Sequence, residues 1–181
     1  MSEYIRTFTG VKFQPLNPRE KDVRIEDVAH GLAHICRWAG HVPSFYSVAL
    51  HSIHVSEMVH PEHALAALLH DASESFLGDM AKPVKNDMPE YQFAENRLMS
   101  TIANSLGFEF PLDDEVKKAD AAALYLEAKY FFPSTFVSDI PFTPSPIFKE
   151  WDFEKISQLT PHESELMFLA QYYRLKSTFI L

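Results

Sequence analysis

Apolar and polar residues alternate about Gly10 in the opening stretch RTFTGVKFQPLNP, which predicts a short hairpin ended by Pro15 and Pro18, a small appendage to the rest of the chain. From Ile25 the period changes. Ile25, Val28, Ala29, Leu32, Ala33 and Cys36 recur at three and four, the mark of an amphipathic helix reaching about Trp38. Gly40 to Ser44, with Pro43, breaks it. A second helix is predicted from about Tyr46 to Val59, stopping before Pro61, and a third from about Glu62 to Phe76, stopping at Gly78. Lys82 to Asp87 reads as a single turn, and Pro89 to Leu106 as a long helix closed by Gly107, the residue that most easily adopts a left-handed cap. Asp113 and Asp114 open another helix to about Phe132. The proline-rich segment 133–151 lacks periodicity and is expected to be a surface loop. In TPHE, Thr160 caps, Pro161 sits in the first turn and Glu163 closes a capping box, so a last helix is expected to about Thr178. The expected fold is all-α, one helical bundle with a short N-terminal β-hairpin.

Composition narrows the class. With 181 residues, 46% of them hydrophobic, the chain can bury one sizeable core and is read as one domain. A net charge of −9 argues against a duplex nucleic acid partner held by phosphate neutralisation. The single cysteine, Cys36, cannot form an internal disulfide and is read as a core residue in a reducing compartment. No window approaches the roughly 18 uninterrupted apolar residues of a membrane span, and no secretory leader is recognisable, so a cytoplasmic protein without a membrane partner is expected. Only 5 glycines are present, too few for a glycine-rich phosphate cradle, so nucleotide chemistry here would rely on a metal and side chains.

The candidate chemistry lies in His70-Asp71, within ALLHDASESFLGD, together with His51 before it and Asp120 after it. Imidazole nitrogen and carboxylate oxygen suit one borderline divalent ion and leave coordination positions open. His70 and Asp71 are expected on one helix, facing His51 on the preceding one, with Asp120 closing from a third. Glu74 lies beyond Asp71 on nearly the same face, where a buried carboxyl would serve as an acid–base group, and Asp79 follows Gly78 in a turn. Arg37 can grip a phosphate through two donors and Trp38 can stack on a base. Lys82, Lys85, Lys117 and Lys118 lie nearby in sequence. His54, His60 and His63 read as surface or helix-end residues.

The motifs HSxxV, ALLHDASE, GDxxxPVK and KxAD resemble the HD-domain phosphohydrolases, more narrowly the bacterial and phage 5'-deoxynucleotidases and small deoxynucleoside triphosphate triphosphohydrolases. The resemblance covers roughly Asn17 to Lys129. It implies an HD-domain helical bundle holding a single divalent metal ion, cobalt, manganese or another transition metal, with magnesium or zinc also compatible. It places the metal ligands at His51, His70, Asp71 and Asp120, the catalytic carboxylates at Glu74 and Asp79, and the substrate contacts at Arg37, Trp38, Lys85 and Lys117. A homodimer or larger homo-oligomer is expected by the same route. The leading expectation is hydrolysis of a deoxynucleoside 5'-monophosphate to deoxynucleoside and phosphate, with Asp79 orienting or deprotonating the attacking water and Glu74 protonating the departing oxygen, or the reverse. A triphosphohydrolase, with Lys85 and Lys117 on the extra phosphates, and a nucleotide-binding domain without turnover remain as alternatives.

Overall fold

In the computed structural model, which describes residues 3–137, 140 and 151–178, helices dominate and strands are confined to one two-stranded antiparallel hairpin. β1 (Ile5–Arg6) pairs with β2 (Lys12–Phe13) in the register Ile5 to Phe13. This hairpin is no loose appendage. The Phe13 ring is fully buried and stacks on Phe76 at 4.0 Å, while the Thr9 amide and hydroxyl donate to the two oxygens of Asp27 at 2.7 and 2.9 Å.

α1 (Ile25–His34) carries the predicted apolar stripe but ends four residues short of the expected Trp38. Its hydrophobic period continues through Cys36, yet the backbone changes partner: the Val48 amide donates to the Ile35 carbonyl at 3.0 Å and the Arg37 amide to the Tyr46 carbonyl at 2.8 Å. Cys36 therefore sits half-buried in a β-bridge to Ser47 rather than on a helix face. A tight turn over Trp38–Gly40 comes next, with Trp38 and Ala39 at φ 59° and 50°.

α2 (Val48–Ser56) begins where the Ser47 hydroxyl accepts from the Leu50 amide, and all nine of its residues are buried. It is the central helix, packed against α1, α3 (Ala64–Leu68), α7 (Asp114–Phe131) and α10 (Pro161–Thr178). His54, expected at the surface, is buried on it and stacks on Trp151 at 4.6 Å. The third predicted helix is broken in two. Beyond α3 the backbone hydrogen bonds of residues 72, 74 and 75 shorten to three-residue steps, as in Ala72 to Leu69 and Glu74 to Asp71, so His70 and Asp71 lie in a tight turn before α4 (Glu74–Leu77).

α5 (Lys82–Asn86) and α6 (Pro89–Leu106) form as expected, and Gly107 ends α6 in the left-handed region at φ 71°. α7 is capped by Asp113, whose carboxylate accepts from the Glu115 amide. Most of segment 133–151 lies outside the described residues, but α8 (Ser134–Val137) shows that it starts with a helical turn. α9 (Phe153–Ile156) precedes α10, where Thr160 and Glu163 form the predicted capping box, their amides and side chains bonded reciprocally at 2.8 and 3.3 Å. Among the described residues no helix is long and apolar enough to cross a membrane.

One close approach fixes the position of α4. A Cβ added to Gly31 of α1 would lie 2.7 Å from Ser75 Cβ and 2.9 Å from Ser75 Cα and its carbonyl oxygen. Two of these atoms are backbone, so Gly31→Ala must separate the helices, and overpacking of this kind costs about 1–3 kcal/mol. Urea unfolding is expected to show a lower midpoint for Gly31→Ala. An unchanged midpoint would mean that α4 is free to shift.

Candidate metal centre

His51 on α2, His70 in the turn after α3 and Asp120 on α7 bring one donor atom each to a common point, all within 4.8 Å of one another. His51 Nε2 lies 3.3 Å from His70 Nε2 and 3.0 Å from Asp120 Oδ1, and His70 Nε2 is 3.7 Å from the same oxygen. Asp71 Oδ2 approaches from the side, 3.1 Å from His70 Nε2 and 3.8 Å from His51 Nε2. Two ligands bound at 2.0 to 2.2 Å stand about 3.0 Å apart across a right angle and about 3.4 Å across a tetrahedral one. The observed separations fall around those values.

The outer hydrogen bonds settle which nitrogens face inward. His70 Nδ1 is 2.7 Å from the Ala67 carbonyl, which can only accept, so Nδ1 carries the proton and a neutral His70 presents its Nε2 lone pair. His51 Nδ1 is 2.6 Å from Glu127 Oε1, with the same consequence. Two lone pairs and two carboxylate oxygens thus converge, an arrangement that repels itself unless a cation or protons lie among them. Burial depresses the His70 imidazole, yet Asp71 and Asp120 overcome it and hold its pKa well above the ordinary value. For His51, burial and Arg37 work downward and are outweighed by Glu127 and Asp120. Burial likewise opposes ionisation of Asp120, but hydrogen bonds from both histidines hold its carboxyl well below the usual range. The donor set fits a metal cation, and 46% of the Asp120 side chain remains open, so the centre is accessible from that side.

That side is a cleft of about 730 Å³ lined by Arg37, Trp38, Glu74, Asp79 and Lys85 among others. Glu74, the first residue of α4, is 7% exposed, and its Oε2 is buried without a hydrogen-bond partner. Burial first, then the charges of Asp71 and Asp79, push its carboxyl up to about 10. Asp79 follows Gly78 at φ 81° and is raised by burial, an effect that Arg37 opposes. Arg37 and Trp38 reach the cleft from the left-handed turn rather than from a helix. Lys85 lines the cleft but is paired with Glu95. Lys117, expected as a substrate contact, is not among the cleft's lining residues: its amine is drawn back along α7 to Asp114 at 2.8 Å, and 61% of its side chain is exposed.

Glu127 is absent from the residues that the sequence singles out. It is fully buried on α7, two helical turns beyond Asp120 on the same face. A carboxylate at that spacing inside the apolar run LYLEAKYF is the only sequence signal it offers. A second cluster, His30 and His34 of α1 with Glu165 of α10, lies on the partly exposed surface, with the His30 ring stacked on Phe8 at 3.8 Å.

The fold and this centre define an all-α protein with a buried imidazole–carboxylate group able to hold a metal. No family model matches the chain. It is 36% identical over 126 residues to the uncharacterized protein YfdR of Escherichia coli, covering 70% of this chain and 71% of that one. It is also 37% identical over 138 residues to the uncharacterized protein RCAP_rcc00048 of Rhodobacter capsulatus, covering 68% and 70%. The chain belongs to one family with these bacterial proteins.

The carboxylates around His51 and His70 favour their protonated forms, so metal loading is expected to release protons. Calorimetric titration with zinc at neutral pH, in two buffers of different ionisation enthalpy, is expected to give different apparent enthalpies. The proton yield should fall as pH rises through the raised imidazole pKa values. Equal enthalpies in both buffers would show that the imidazoles were already neutral.

Proposed function

We propose that this protein is a metal-dependent phosphohydrolase of 2'-deoxynucleotides, acting on deoxynucleoside 5'-monophosphates to give the deoxynucleoside and phosphate. The observation that carries the reading is Glu74: a buried carboxyl whose Oε2 has no hydrogen-bond partner, held toward its protonated form by burial, and facing the same cleft as the imidazole–carboxylate centre and Arg37. The resemblance to HD-domain phosphohydrolases supports the same assignment. His51, His70, Asp71 and Asp120 would hold one divalent transition-metal ion, which when bound supplies Lewis-acid activation of water and of a phosphate oxygen.

The side chains do the rest. Arg37 binds the phosphate, and Trp38 offers its ring, since its N–H is committed to Glu127 at 3.2 Å and its edges pack near Phe132 and Phe136. Glu74 holds the proton that the departing 5'-oxygen needs. Asp79, half-buried where Glu74 is buried, is suited to orient the water and take its proton. The cation balance favours a monophosphate over a triphosphate. Among the described lining residues Asp71, Glu74, Asp79, Glu95 and Asp120 face only Arg37, Lys82 and Lys85 as permanent cations, and Lys85 is already paired.

A panel of deoxy- and ribonucleoside mono- and triphosphates with manganese, cobalt or zinc tests the reading, with orthophosphate from deoxynucleoside monophosphates as the expected product. Tripolyphosphate release would move the assignment to a triphosphohydrolase, and no turnover with any metal would sink it. The Trp38 N–H is committed to Glu127 and gives a ribose 2'-hydroxyl against that ring no partner; a buried hydroxyl left so costs roughly 1 to 3 kcal/mol, so kcat/KM for matched deoxy substrates should be about ten- to a hundredfold higher. Glu74→Gln is expected to keep its metal and lose about 10²- to 10⁴-fold in kcat. Wild-type kcat in that variant would remove Glu74 from the mechanism.

A further inference from the structure

We propose that Glu127 is a positioning residue that ties the metal-holding imidazole of His51 to the turn that grips substrate. Its two carboxylate oxygens face different groups. Oε1 accepts from His51 Nδ1 at 2.6 Å, and Oε2 accepts from Trp38 Nε1 at 3.2 Å and from Arg37 Nη2 and Nε at 3.3 and 3.4 Å. The His51 and Glu127 side chains are both fully buried and that of Arg37 is 12% exposed, so water is a poor substitute for any of these bonds.

Only a carboxylate satisfies this geometry. Four N–H donors converge from two directions on two acceptor atoms, and a carboxylate has about four lone-pair sites to offer them. A glutamine at the same place has one acceptor oxygen, so it can serve His51 or the Arg37–Trp38 side. Its amide N–H groups would then oppose the donors of the other. On the His51 side the loss frees the imidazole from the tautomer that keeps the Nε2 lone pair inward. On the other side the guanidinium loses its nearer anion, and the ion pair left to it among the described residues is Asp71, whose Oδ2 is 4.0 Å from Nη1, so Arg37 is drawn toward a metal ligand and away from a phosphate. Trp38 and Ala39, held at positive φ, lose a tether that opposes their backbone strain.

The substrate half of this inference rests on the functional reading above; the metal half does not. The test is Glu127→Gln and Glu127→Asp, each checked for fold by circular dichroism and melting. Zinc affinity is then measured by competition with a chromophoric chelator, and KM for a deoxynucleoside monophosphate at saturating metal. Glu127→Gln is expected to weaken zinc binding about 10- to 100-fold, and to raise KM even when metal saturates. Glu127→Asp keeps the charge but is one methylene short of reaching both partners, so both measures should fall between wild type and Glu127→Gln. A folded Glu127→Gln with wild-type zinc affinity overturns the proposal. Should Glu127→Gln fail to fold, Glu127→Asp decides: wild-type zinc affinity with wild-type KM overturns it equally. Weakened zinc binding in a protein that hydrolyses no nucleotide would instead discard the functional reading and leave the role of Glu127 toward His51 standing.

Discussion

Two imidazole Nε2 atoms lie 3.3 Å apart in the interior of a helical bundle, with carboxylate oxygens at 3.0 and 3.1 Å from them, and most of the architecture around them stems from making that confrontation tolerable. Buried polar groups without partners cost free energy, and buried charges cost more. α2 is buried on every side, so its His51 cannot turn to solvent and must be satisfied within the protein. Glu127 supplies that partner from α7. An ionised carboxylate in the core then requires a counter-charge, and Arg37 provides it at 3.3 Å. Burial works against the ionisation of Glu127, and the charges of Arg37 and His51 hold its pKa down. Arg37 reaches it because the chain leaves α1 at His34 and runs extended alongside Tyr46 to Val48. The irregular stretch between α1 and α2 is thus a consequence of the polar interior and not an interruption of the bundle.

The same dependence explains what could be read in the sequence. Local signals spoke for local structure. Pro89 and Gly107 bound α6, and Thr160 with Glu163 caps α10, because those residues act on the backbone next to them. The grouping of His51, His70 and Asp120 was legible because donor chemistry is carried by the residues themselves, and Asp71 lies beside them. The end of α1 was not. Its apolar period runs through Cys36, while the backbone there is claimed by a segment ten residues later. Nor was the turn at His70: ALLHDASESF has uninterrupted helical spacing, and the tighter winding shows only in hydrogen bonds that shorten to three-residue steps. Glu127 and Lys117 illustrate the two directions of failure. A carboxylate in an apolar run gains its meaning from His51, 76 positions away, and a lysine three residues before Asp120 loses its expected role to Asp114, a neighbour on its own helix.

Charge decides what can enter the cleft. The chain as a whole carries −9, and the described lining residues are rich in carboxylates, so the electrostatic default is to attract cations and repel polyanions. The anionic substrate proposed above would need that default locally reversed, by a cation at the His51–His70–Asp120 group with Arg37 beside it. Arg37 cannot do this alone. Its charge is already shared between Glu127 and Asp71, whose oxygens lie 3.3 and 4.0 Å away. A cation at the centre would offset Asp71 and Asp120 and leave Glu127 as the nearest carboxylate to Arg37 among the described residues, freeing Nη1 for a phosphate oxygen. Under the proposed function electrostatics would order the events: the cation first, then the phosphate, with Glu127 as the anion that keeps the guanidinium in place.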